Sequence, residues 1–133
     1  MSKNLEMIHG EAVQDWNFVA SAIQGTYFGV GRSKDEIINC CRASKCFGVR
    51  DKDLGQQVAF ARIVTDGVIY SYLADVVVHP MMRGQGIGKF LIQAIIEDPA
   101  LRRTNINLCT RDPSFYQKLG FQEGQQFFLR ARK

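Results

Sequence analysis

Apolar residues recur along this chain in two rhythms. Alternate spacing predicts strands, and three-to-four spacing predicts helices. Residues 5–8, Leu-Glu-Met-Ile, predict a first strand. Asp15 is placed to cap a helix over 16–25, with Phe18, Val19, Ala22 and Ile23 on one face. The run Tyr27-Phe28-Gly29-Val30-Gly31 breaks the rhythm and predicts a loop. Ser33, followed three residues later by Glu36, is a capping box, and Ile37, Ile38 and Cys41 form the buried stripe of a second helix.

Three strands come next: a short one over 46–50, one over 57–64, and a long one over 68–78 that Pro80 stops. Residues 51–55 make the first turn between them, and Asp66-Gly67 is a hairpin signal. A helix over 87–97 carries Ile87, Leu91, Ala94 and Ile95 on one stripe and ends at Asp98-Pro99, because a residue before proline avoids helical angles. A strand over 106–110 follows. Asp112-Pro113 opens a last helix, Gly120 closes it, and 126–132 predicts a final strand. The order is β, α, α, β, β, β, α, β, α, β.

With 133 residues the chain fits one domain, 1–133. A balance of 46% hydrophobic and 23% charged residues excludes a disordered tail, a collagen-like fibre and a disulfide knot. No apolar run approaches the ~20 residues that cross a bilayer, so no membrane partner is expected. The start, Met1-Ser2-Lys3-Asn4, lacks a basic-then-apolar signal, which points to the cytoplasm. Cys40 and Cys41 are adjacent, which suits neither a disulfide framework nor a C-x-x-C metal knuckle. With Cys46 and Cys109 they read as reduced thiols, mostly buried, and no metal is expected. Lys and Arg exceed Asp and Glu by 17 to 13. No basic stripe interleaves with aromatics, so nucleic acid is not an expected partner. The mild positive field favours a small polyanion.

Chemistry concentrates in Val78-His79-Pro80-Met81-Met82-Arg83-Gly84-Gln85-Gly86-Ile87-Gly88-Lys89, which runs from a strand end through a glycine-rich loop into a helix start. A helix start presents unpaired N–H groups and a partial positive charge, and glycines let an anion approach the backbone closely. The segment therefore reads as a pyrophosphate cradle. A Walker loop would require Gly at 83 and Ser or Thr at 90, where Arg83 and Phe90 stand. A dinucleotide fingerprint would require Gly at 89, where Lys89 stands, and a parallel unit rather than a meander.

Arg83-Gly84-Gln85-Gly86-Ile87-Gly88, preceded by Val78-His79-Pro80, resembles the acetyl-coenzyme A loop of the GNAT superfamily of N-acetyltransferases. Tyr116-Gln117-Lys118-Leu119-Gly120-Phe121 resembles that family's closing segment, and the element order agrees. The resemblance implies a single-domain α/β fold: a mixed, mostly antiparallel twisted sheet flanked by helices, with splayed parallel central strands. It implies acetyl-CoA as co-substrate, lying in the gap between the strand ending at Val78 and the strand over 106–110. Val76, Val77 and Val78 would offer main-chain bonds to its pantetheine arm and thioester carbonyl. The N–H groups of Arg83, Gly84, Gln85, Gly86, Ile87 and Gly88 would hold the pyrophosphate. The side chain of Arg83 or Lys89 would add charge, unless Arg83 folds back onto the sheet.

Tyr116 matches the family's general acid, which protonates the leaving thiolate; the alternative is that it packs beside Phe115. Asp75, on one strand face with Val77 and His79, is a base, a substrate contact or a structural cap. Some polyamine acetylating members have Glu before the matching Asp, and Ala74 stands there. His79 reads as a loop residue, and His9 has no evident partner. Tyr27, Phe28, Arg32, Tyr70 and Tyr72 are candidates for the acceptor pocket, with Arg32 either pairing a substrate carboxylate or lying on the surface. The implied activity is acetyl transfer to a primary amine, of a small molecule, by direct attack in a ternary complex. The alternatives are a catalytically weak acyl-CoA-binding sensor or scaffold, and transfer from a longer thioester. The chain is expected as a monomer, or as a homodimer through its last strand.

Overall fold

The computed structural model describes residues 4–124 and 127–132. Five strands, β1 (Leu5–His9), β2 (Lys45–Asp51), β3 (Gln56–Thr65), β4 (Tyr70–Val78) and β5 (Asn105–Asn107), form one sheet in the order β1-β2-β3-β4-β5. The first three pairings are antiparallel and β4–β5 is parallel. Helices α1 (Trp16–Gln24) and α2 (Lys34–Arg42) connect β1 to β2, α3 (Ile87–Ile96) connects β4 to β5, and α4 (Pro113–Gln117) follows β5. Asp15 accepts from Phe18 N at the start of α1, and Ser33 and Glu36 cap α2 reciprocally.

Alternation along the strands feeds two cores. Ala59, Ala61 and Ile63 of β3 pack with Ile87, Leu91, Ile92 and Ile95 of α3. Phe60, between them in sequence, packs with Val19, Ile23, Ile37 and Cys41 of α1 and α2. On α3, Ile92 takes the buried place predicted for Ala94.

β4 does not alternate throughout. Leu73 belongs to the α3 side and Val77 to the α1–α2 side, although they are four residues apart. Asp75 has φ 55, and the β3–β4 register shifts between Phe60↔Val77 and Arg62↔Ala74. This is a bulge, with one extra residue on β4, and it exchanges the two faces. Asp75, Val77 and His79 still share a side, since Asp75 meets Arg32 after α1, Val77 joins the α1–α2 core and His79 stacks on Phe18 of α1.

Several predicted elements differ. The long return strand starts at Tyr70 rather than at 68, because the Asp66 carboxylate accepts from the N–H groups of Val68, Ile69 and Tyr70. The last helix stops at Gln117 as a tighter turn carries the chain to Gly120. The predicted final strand is not formed. Gln126 lies outside the described residues, and 127–132 carry no strand. Phe127, Phe128 and Leu129 are 64%, 84% and 74% exposed. Strand propensity there lacks a partner ladder to complete it. The parallel pair therefore sits at the sheet edge among the described residues rather than at its centre, and the edge expected to serve a dimer is not a strand.

Candidate active site

β4 and β5 pair only from Tyr70↔Asn105 to Tyr72↔Asn107. β5 ends there, shorter than the predicted 106–110, while β4 continues to Val78. The divergence bares the β4 edge, and its main-chain groups need partners.

A cavity of about 460 Å³ lies beside that edge. Its wall holds Val76, Val77 and Val78 from β4, and Arg83, Gly84, Gly86, Ile87, Gly88 and Lys89 from the loop and the first turn of α3. Gln85 belongs to the same loop but does not line it. Gly84 and Gly86 have φ 79 and 80, where a side chain is strained, and a Cβ at either would meet open space. Gly86 caps α3 without a side-chain bond. The backbone thus faces the cavity uncovered, at a helix end rich in free N–H groups. These residues fit an extended, amide-bearing diphosphate such as acetyl-CoA.

A second cavity, about 480 Å³, adjoins the first. Tyr27, Phe28 and Tyr72 line it with Phe115 and Tyr116 of α4. Arg32, Arg62, Asp75, Arg111 and Asp112 contribute the charge. The two cavities share Val76, Asp112 and Phe115. Of the predicted acceptor contacts, Tyr27, Phe28, Arg32 and Tyr72 come together here. Tyr70 does not line this wall: it sits at the outer end of β4, 63% exposed.

Asp75 is buried and doubly paired. Its Oδ2 accepts from Arg32 Nη1 at 2.9 Å and from Arg62 Nε at 2.7 Å. Arg62 also donates to Ser44 Oγ at 3.0 Å, and Arg32 to the Phe28 carbonyl at 3.3 Å. Tyr116 stands between Phe115 and Phe121 in edge-to-face contacts, ring centres 4.9 and 5.7 Å away. Burial, with the nearby charges of Asp112 and Tyr27, pushes its phenol up to about 12. His79 Nδ1 accepts from Met81 N at 3.1 Å, and His9 packs edge-on to Phe47.

Arg62, Arg111, Asp112 and Phe115 also belong to the site. Arg62 did carry a signal, as a charge inside an otherwise apolar strand. Asp112 reads in sequence only as the residue before a helix proline. Among the described residues, no group of three or more His, Cys, Asp or Glu is placed to hold a metal, and no helix is long and apolar enough to cross a membrane.

A sheet opened along one parallel edge, beside a helix that begins on glycines, is the α/β frame of GNAT proteins. A Xanthomonas campestris protein described as belonging to the GNAT family shares it at a TM-score of 0.87, with 24% identity, over 97% of this chain and 96% of that one. The family model for the acetyltransferase (GNAT) domain matches residues 42–123, and the chain belongs to that family. A Gibberella zeae protein named as an acetyltransferase is 28% identical over 113 residues, which cover 70% of this chain and 64% of that protein. A rice protein named serotonin N-acetyltransferase 2, chloroplastic, is 39% identical over 70 residues, 50% of this chain and 35% of its own length. The chain thus spans about a third to two thirds of these two relatives.

Proposed function

We propose that this protein transfers the acetyl group of acetyl-CoA to the primary amine of a small molecule, by direct attack with both substrates bound. The observation that carries this is the junction of the two cavities: a phosphate-type cradle with a bared strand edge opens, at Val76, Asp112 and Phe115, onto an aromatic slot. A volume of about 480 Å³ falls within the range for small-molecule sites. The rice relative's name supports including arylalkylamines among the acceptors tried.

Acetyl-CoA supplies an activated acyl group and a thiolate leaving group. The N–H groups of Arg83, Gly84, Gly86, Ile87 and Gly88 would hold its diphosphate, with Lys89 and Arg83 adding charge. The β4 edge at Val76, Val77 and Val78 aligns the pantetheine arm, and an N–H there polarises the thioester carbonyl. An alkyl amine has a pKa near ~10.4 and must shed a proton before it attacks. Tyr116 stays protonated at neutral pH; it would give its proton to the departing sulfur and regain one as the attacking nitrogen sheds its second proton to form the amide. Asp75, committed to Arg32 and Arg62, acts as the anchor of the α1–α2 connection against β4 rather than as the proton acceptor. Arg32 then braces the slot instead of reading a substrate carboxylate.

The test measures coenzyme A release against a panel of primary amines, with wild type and Tyr116→Phe. Saturable, amine-dependent release that falls in the variant while coenzyme A affinity persists is the expected result. Calorimetry showing no association with coenzyme A would overturn the reading. Binding without turnover on any amine would favour the sensor alternative.

A further inference from the structure

We infer that Asp112 holds the acceptor as its ammonium ion, which makes the acceptor a basic alkylamine rather than a weakly basic arylamine. The inference rests on the transfer reading above. Of the three residues common to both cavities, only Asp112 can carry charge. This carboxylate therefore belongs to the wall where slot and cradle meet.

The other carboxylate of the slot, Asp75, is taken by two guanidinium groups. Asp112 accepts from the Ser114 hydroxyl at 2.9 Å and joins no ion pair among the described residues. The cations that share a cavity wall with it form no ion pair to it among the described residues. Arg32 and Arg62 sit on Asp75, Arg111 lies 3.7 Å over the Tyr27 ring, and Arg83 and Lys89 line the cradle. The rest of the slot wall is largely aromatic: Tyr27, Phe28, Tyr72, Phe115 and Tyr116. An anion at the end of an aromatic slot is complementary to a cation on an apolar stem. Alkyl amines arrive as such cations at neutral pH. A carboxylate favours the ammonium over the free amine, so Asp112 docks and orients the acceptor, and solvent takes the proton.

Asp112→Asn removes the charge while keeping an oxygen that accepts from Ser114. With coenzyme A present, titration calorimetry compares two probes of one shape, phenethylammonium and phenethyl alcohol. Wild type should bind the cation at least about tenfold more tightly, the scale of one charged hydrogen bond. Asp112→Asn should erase that preference and Asp112→Glu restore part of it. In turnover, the loss in the Asn variant should fall on KM for phenethylamine more than on kcat. Equal affinity of wild type for both probes, no saturable binding of the cation, or an Asn variant that keeps the preference would each overturn the inference. A wild type that prefers the cation but never releases coenzyme A overturns the transfer reading and leaves a cation site. A wild type that acetylates phenethylamine no faster than the Asn variant overturns the role of Asp112 and leaves the transfer reading standing.

Discussion

Replacing Asp75 with asparagine separates a structural anchor from a proton acceptor. Asparagine keeps the shape and tolerates the left-handed backbone at φ 55. What it loses is the charge facing Arg32 and Arg62. Removing one partner of a buried ion pair costs about 3–5 kcal/mol, because the remaining charge is left uncompensated. Here the Asp75 side chain is 3% exposed, while those of Arg62 and Arg32 are 15% and 23% exposed. Partial solvent access lets the arginines recover some hydration, so a loss of about 2–3 kcal/mol is expected. For a domain of this size that lowers Tm by roughly 6–15 °C. The assay is thermal and urea unfolding of Asp75→Asn beside wild type, with amine-dependent coenzyme A release measured well below the lower Tm. An anchor predicts early melting with most of the turnover kept at low temperature. A Tm within about 2 °C of wild type, together with turnover reduced about a hundredfold or more, would refute the argument and return Asp75 to the role of base.

Other outcomes follow from the same geometry. Gly86→Ala puts a Cβ on a left-handed residue, costing about 1–2 kcal/mol, and should lower Tm by several degrees, weaken coenzyme A binding in calorimetry, or both. Gly88→Ala should not lower Tm: its Cβ meets Phe115 Cζ at 3.4 Å and Val78 Cγ2 at 3.6 Å, ordinary contacts, and alanine favours the helix. The raised Tyr116 phenol stabilises the fold fully below its unfolded value, near pH 10, and this contribution fades as pH climbs toward about 12. Alkaline melting should therefore fall more steeply over that window in wild type than in Tyr116→Phe. At Gly48 of β2 an added Cβ would stand 2.5 Å from Gln57 Nε2 and 2.7 Å from Gln14 Oε1. Gly48→Ala should break the buried Gln14–Gln57 bond and destabilise by about 1–3 kcal/mol in urea unfolding.

Local chemistry made much of this molecule legible in sequence. The capping box of Ser33 and Glu36 acts within one helical turn, and the glycines at 84 and 86 state their backbone angles directly. Tyr116 was visible because it lies in a short contiguous segment. The slot proposed for the acceptor was less so, because it is assembled from residues near 27–32, 62, 72–76 and 108–116, and only the closed fold shows that Arg62 and Asp112 both line it. The final strand failed for a related reason. Residues 127–132 have the composition of a strand, but pairing is a property of two segments, and one segment's pattern cannot supply the second.

The bulge at Asp75 shows how a single residue links these levels. Counted at a period of two, β4 would keep Leu73 and Val77 on one face; the left-handed turn at Asp75 places them on opposite cores. Such a backbone costs about 1–2 kcal/mol for a residue other than glycine, and the paired guanidinium groups hold it in place. β4 leaves β5 just after Tyr72, so the bulge falls within the bared stretch of the strand, beside Val76, where the two cavities meet. The opening of the sheet, the change of face and the fixing of Arg32 thus fall within one short stretch of β4, and the Asp75 carboxylate, paired with Arg32 and Arg62, sits inside it.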